Sequence, residues 1–159
     1  MTIHFADNTS ISSGGSLGKI VQVVTNTSST THQQVNGTNT WTDVAPTCAI
    51  TMTSSSNKVK IDVGAACTTE WAGGVGYRLL RGSTVIINMA GYTWNNTRWQ
   101  ITACPIIGII DTPGSGTHTY KVQIRSSRNS NFYWNMNQAS NLGNYSAQTC
   151  SMTLSEVAA

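Results

Sequence analysis

Charge is what this chain has least of. Only 9% of its 159 residues are Asp, Glu, Lys or Arg, nine basic against six acidic, for a formal net charge of +3. The basic residues are scattered at Lys19, Lys58, Lys60, Arg78, Arg81, Arg98, Lys121, Arg125 and Arg128, and only Arg125-Ser-Ser-Arg128 is a local cluster. Nucleic-acid affinity comes from neutralising many phosphates with a dense basic stripe, so no nucleic-acid partner is expected. The acids, Asp7, Asp43, Asp62, Glu70, Asp111 and Glu156, form no pair at a spacing that suggests a carboxylate dyad. Asp111-Thr-Pro-Gly114 differs from the aspartic-protease Asp-Thr-Gly by its inserted proline and reads as a turn, with Asp111 as turn former. Many serines are present, but no Gly-x-Ser-x-Gly elbow. No catalytic residue is assigned, and an enzyme is not expected.

Other absences narrow the field further. The cysteines at 48, 67, 104 and 150 make no Cys-x-x-Cys pair, and the three histidines lie at 4, 32 and 118, so no metal site and no cofactor are expected. His32 and His118 lie in polar stretches and read as surface residues. Cys48 alternates with Ile50 and Met52, and Cys150 with Met152 and Leu154, which puts both thiols on a buried face. Free buried thiols are the expectation, since reduced Cys behaves as a small hydrophobe; one disulfide between neighbouring strands is the alternative. There is no positive-then-apolar leader and no apolar run long enough to cross a bilayer, so the chain is expected to begin at or near Met1 and to have no membrane partner. Sequons at Asn8, Asn26, Asn36, Asn95 and Asn144 follow from a composition rich in Asn, Ser and Thr.

No amphipathic helical stretch is found either, and what remains is strand pattern. On length the chain is one domain, able to bury about two-thirds of its unfolded surface. Ile50 and Met52 alternate with Thr, the chain turns at Ser54-Ser-Ser-Asn57, and Val59, Ile61 and Val63 alternate with outward Lys58, Lys60 and Asp62. Period-two alternation on adjacent segments is the mark of an antiparallel sheet with one wet face. A second hairpin turns at Arg81-Gly82-Ser83-Thr84, where Gly supplies the positive φ of a tight turn. Tyr120, Val122 and Ile124 alternate with Lys121, Gln123 and Arg125. Lys19 to Val24 and Ile106 to Ile110 are nearly continuous apolar runs and predict strands buried on both faces. Asn26 to Asn39 reads as a long polar loop, Pro46 as a turn, Thr68 to Gly74 as a connection, Pro105 as a bend, and Ala90 to Thr97 as an aromatic loop. The fold class is all-β, an antiparallel two-sheet sandwich (residues 18–159) preceded by a short extended arm (residues 1–17).

Tyr77-Arg-Leu-Leu-Arg-Gly-Ser-Thr-Val-Ile86, with Pro113-Gly114 leading to Thr119-Tyr-Lys-Val-Gln-Ile124 and the closing Met152-Thr-Leu-Ser-Glu-Val157, resembles the carboxy-terminal β-module of tailed-phage fibre and head-decoration proteins. Ile3-His-Phe-Ala-Asp-Asn-Thr9 resembles the strand ahead of such modules in phage fibres. The resemblance implies a jelly-roll topology, a homotrimer and a place on the outer surface of a phage particle, with synthesis in the host cytoplasm. A fibre normally has a long shaft, whereas only the arm precedes the β-module here. A capsid decoration or cement protein bound to the major capsid protein is therefore the first expectation. The alternative is a short tail-fibre or receptor-binding tip that contacts a tail or fibre protein and host glycan. Ile3, Phe5 and Ile11 are the candidate capsid anchors in the arm. Tyr92, Trp94, Trp99, Tyr133 and Trp134 are aromatics set among Asn and Gly, and are candidates for core or subunit packing or for stacking on sugar rings.

Overall fold

The computed structural model describes residues 3–4, 10–11, 18–34, 39–69, 73–93, 100–103, 106–127, 131–137 and 146–159. In chain order the strands are β1 (Ile3–His4), β2 (Ser10–Ile11), β3 (Ile20–Ser28), β4 (His32–Gln34), β5 (Thr42–Met52), β6 (Lys58–Gly64), β7 (Ala66–Thr69), β8 (Gly73–Arg81), β9 (Thr84–Thr93), β10 (Gln100–Ala103), β11 (Ile106–Asp111), β12 (Gly116–Ser127), β13 (Phe132–Trp134), β14 (Met136–Asn137), β15 (Ser146–Ala147) and β16 (Cys150–Val157). All pairing among them is antiparallel.

One sheet has the order β5-β12-β8-β9. The sets β11-β6-β16-β3 and β10-β7-β13-β4 repeat a single order end to end, because β3 runs on into β4, β6 into β7 and β10 into β11. β13 and β16 share one lane of that sheet. Asn135, at φ 58°, turns the chain out of the lane after β13; its N–H donates to Ala66 O and its C=O accepts from Gln148 N–H, which brings the chain back for β16. Counted by lanes, the first runs beside the last, β5 beside β12, the β6–β7 lane beside β10–β11, and β8 beside β9. This nesting is the jelly roll.

The core lies between the sheets. Val44, Cys48, Ile50 and Met52 of β5 meet Val59, Ile61 and Val63 of β6, Met152 and Leu154 of β16, and Val122 and Ile124 of β12, with Trp134 and Phe132 at one end. The alternation read from the sequence holds on β5, β6 and β12: Ile61 is fully buried and Val122 is 1% exposed, while their neighbours Lys60 and Lys121 reach solvent. The hairpin at Arg81 forms, with Arg81 opposite Thr84 and Gly82 at φ 55°, whereas the expected hairpin around Ser54 to Asn57 does not. β5 pairs with β12 and β6 with β11 and β16, so this turn carries the chain from one sheet to the other.

Several expectations are corrected. β3 is an edge strand, so Ile20, Val21 and Val23 are 57%, 41% and 55% exposed instead of buried on both faces. β11 is the opposite edge: Ile106 is buried, but Ile107 and Ile110 are 70% and 52% exposed. Continuous apolar character does not report this, because one face of the sheet packs on the other sheet and the opposite face is outward, where Val23 stands opposite Ser155 and Ile110 opposite Lys60. Pro46 makes no turn. It is buried inside β5, where the register jumps from Cys48 opposite Tyr120 to Val44 opposite Val122, and this bulge absorbs the missing N–H. Much of the expected loop from Asn26 is strand, since β3 continues to Ser28 and β4 follows. Thr68 lies in β7, and Ala90 to Thr93 belong to β9. In the arm, β1 pairs with β2 as a small ladder with Ile3 opposite Ile11, so these segments are not a single extended strand. Cys104 and Pro105 lie outside the described residues. Cys48 and Cys150 are free, buried thiols, and burial pushes both thiol pKa values up.

Candidate functional site

Of the aromatic candidates, Trp134 and Tyr133 sit inside the chain's own fold. Trp134 is fully buried and its Nε1–H donates to Ala45 O at 2.6 Å; Tyr133 is 7% exposed. The core alternative therefore applies to these two, whose rings are covered within one chain and offer no face to a sugar. The same corner corrects the expectation for His32, which is half-buried: Ala45 N–H donates to its Nε2 at 3.1 Å, and burial lowers its pKa. His118, half-buried on β12, has its Nε2 3.1 Å from Ser115 O. Tyr92 lies in β9 opposite Gly74. Phe5, Trp94 and Trp99 lie outside the described residues. The described structure does not bring the candidate residues together into one site.

What the sheet register does assemble was not visible as a motif. On the outer face of the β5-β12-β8-β9 sheet, Arg125 stands opposite Gly76 and Gln123 opposite Arg78, with Asp43 beside Gln123. Trp41, just ahead of β5, reaches across β12 until its ring meets Gly76, where an added Cβ would lie 3.0 Å from Cη2. The absent side chain makes room for the indole. Arg78 and Arg125 both lie against that ring, their Cζ atoms 4.4 and 4.9 Å from its centroid. Arg78 Nε–H donates to Gln123 Oε1 at 2.8 Å, Gln123 Nε2–H donates to Asp43 Oδ1 at 2.6 Å, and Lys121 Nζ donates to Asp43 Oδ2 at 2.9 Å. The Lys121 hydrogen bond, followed by that of Gln123, lowers the Asp43 pKa. A shallow groove of about 550 Å³ runs beside this network, lined by Arg78, Leu80, Ser83, Thr119, Lys121 and Gln123 among others.

Two further clusters are structural in character. Arg81 Nη1 donates to Asp111 Oδ2 at 2.7 Å and Tyr120 Oη donates to the same oxygen at 2.8 Å, while Thr112 N–H donates to Oδ1. Asp111 thus shapes its turn, as expected, and also ties β11 to β8 and β12 across the two sheets. Burial, followed by the Asp111 carboxylate, raises the Tyr120 pKa well above its ordinary value. On the other sheet, Asp62 accepts from Lys60 Nζ and from Gly108 N–H, each at 2.7 Å, which holds the bulge of β11 at Gly108, φ 69°.

The outer edges of the β11-β6-β16-β3 sheet form a second kind of surface. Val21 and Val23 on β3 and Ile107 and Ile110 on β11 leave an aliphatic rim on each side of a polar centre of Lys60, Asp62, Ser151 and Thr153. Among the described residues no group of His, Cys, Asp and Glu is arranged to hold a metal ion, and no helix is long and apolar enough to cross a membrane.

No protein-family model matches the sequence, and no curated protein matches it. Among solved structures the chain is similar to one described as the structure of infectious bursal disease virus Gx strain, with a TM-score of 0.36 and 12% sequence identity over 87% of this chain. The match spans 37% of the length of that viral chain.

Proposed function

We propose that this chain is a structural protein of a virus particle without enzymatic activity, a homotrimeric decoration or cement protein on the outer shell of a tailed phage. The observation that carries the reading is the pair of aliphatic rims. Exposed apolar edge strands are a liability that soluble proteins blunt with charge, proline or a covering element. Here β3 presents Ile20, Val21 and Val23, and β11 presents Ile107 and Ile110, on opposite edges of one sheet. A two-fold dimer through one rim would leave the other wet, whereas a head-to-tail ring covers both in every copy. Jelly-roll sandwiches serve as viral capsid and lectin domains, which fits the sequence resemblance to phage fibre and decoration modules.

The purified protein is expected to scatter light as a trimer, and Val23→Asp or Ile110→Asp to scatter as a folded monomer. Mixing Val23→Cys with Ile110→Cys under oxidising conditions should give cross-linked chains that neither variant gives alone. Cross-linking of Val23→Cys with itself would point to a two-fold contact, and a wild-type monomer at micromolar concentration removes the reading. Attachment to the shell is assigned to the arm. Ile3→Asp combined with Ile11→Asp should leave the trimer intact and abolish binding to particles stripped of the protein. Burial of each such side chain is worth about 1.5–3 kcal/mol, and three arms act together. Labelling intact particles separates head from tail, a tail location favouring the fibre-tip alternative.

A further inference from the structure

We propose that the groove beside Trp41 and Arg78 binds an acidic saccharide, with the anionic group of the sugar seated on the Arg78 guanidinium. This assignment is independent of the oligomeric state, since the groove lies on the other sheet from the aliphatic rims.

The guanidinium is held in place before any ligand arrives. Its Nε–H is committed to Gln123 Oε1 at 2.8 Å and its Cζ lies over the Trp41 ring, 4.4 Å from the centroid, which leaves its two terminal nitrogens as the fork that matches a carboxylate or phosphate. The Arg125 guanidinium, 4.9 Å from the same ring, adds a second positive charge. Asp43, the acid of this network, accepts from Lys121 on one oxygen and from Gln123 on the other, so its hydrogen bonds go to these donors and not to the fork. Beyond the fork the groove offers the hydroxyls of Ser83 and Thr119 and the side-chain amide of Gln123. Leu80, buried yet outside the core cluster, contributes an apolar lining. Hydroxyls and an amide beside a charge fork suit a polyhydroxylated anion. The groove is open and in the volume range of small-ligand sites, which fits a few units of an extended chain. Three cations against one carboxylate are too sparse for a nucleic-acid backbone.

Calorimetric titration of the full-length protein with galacturonate trimer, and separately with a mannose phosphate, tests the assignment. Saturable binding of either is expected, and the comparison distinguishes carboxylate from phosphate as the source of the charge. Maltotriose, which is neutral, should not bind. Arg78→Gln should weaken the interaction about tenfold or more, and Arg78→Lys nearly as much, because a point charge lacks the fork. An unchanged melting temperature in both variants rules out misfolding, and Arg125→Gln provides a milder variant with an intermediate loss. The proposal is overturned by absence of saturable binding, by equal binding of maltotriose, by a preference for poly-glutamate, or by unchanged affinity in Arg78→Gln.

Discussion

Replacing Glu156 by Ala is expected to lower the melting temperature by roughly 6–12 °C, the shift that a loss of about 3 kcal/mol produces in a domain of this size. Glu156 is fully buried on β16, with no cation among its hydrogen-bond donors. Its Oε1 accepts from Thr53 N–H at 2.9 Å, Thr53 Oγ1–H at 2.8 Å and Asn57 Nδ2–H at 2.7 Å; its Oε2 accepts from Gln22 Nε2–H. One carboxylate therefore joins β16, the edge strand β3 and the turn between β5 and β6. Truncation to Ala leaves these donors without their acceptor, and hydrogen bonds to a charged group contribute about 1.5–3 kcal/mol each when broken one-sidedly.

Burial alone would raise the Glu156 pKa, but the hydrogen bonds from Gln22, Asn57 and Thr53 outweigh it and lower the value to about 2. A carboxylate whose folded pKa is depressed contributes stability that is fully present above its unfolded pKa, near 4.5, and lost as pH falls toward about 2. His32 acts in the same direction from a higher pH. Its folded pKa lies below the unfolded value, so the unfolded chain takes up the proton first and stability begins to fall below about 6.5. Melting temperature recorded against pH should show both limbs. Glu156→Gln should flatten the lower one and leave the upper. The variant should still cost about 2 kcal/mol at neutral pH, because the new amide nitrogen must face Gln22, whose own nitrogen also donates to Thr51 O. A wild-type profile that stays level between pH 4.5 and 2 would contradict the assignment.

Glu156 also illustrates what the sequence made legible. Cys150, Met152 and Leu154 share its parity, so alternation alone puts this acid in the buried row. Its partners are not legible, because Thr53 and Asn57 lie about a hundred residues away and meet it only once the sheets are stacked. The same holds for the groove. Arg78, Lys121, Gln123 and Arg125 could each be placed on a wet face by parity, but only the register of β8 against β12 brings them into one row with Trp41. Local alternation reports a side chain's face; it carries no information on a strand's neighbours. That is why strands β5, β6 and β12, apolar on the covered face and polar on the other, are readable from alternation although their partners are distant in sequence, while β3 and β11, with apolar side chains on both faces, read as interior.

Ile61→Asp and Ile110→Asp should give opposite results although the residues are the same type and lie on paired strands. Ile61 faces the core and is fully buried, opposite Ile109 in register. An aspartate there would place a carboxylate among Val63, Leu154 and Ile50 with no donor at hand, and an uncompensated charge in such a site costs several kcal/mol, a large share of a domain's whole stability. Insoluble or unfolded protein is expected, as for Val122→Asp. Ile110 is one residue further along β11 from Ile109, opposite Lys60 on the outer face and 52% exposed. The new carboxylate would be solvated and close to an ammonium group, so the fold should persist with a stability change within about 1 kcal/mol. Circular dichroism with a cooperative melt distinguishes a folded Ile110→Asp from an unfolded Ile61→Asp. The reverse outcome would mean that β11 is paired one residue out of the register seen here, since a slip of one position exchanges the two faces of the strand.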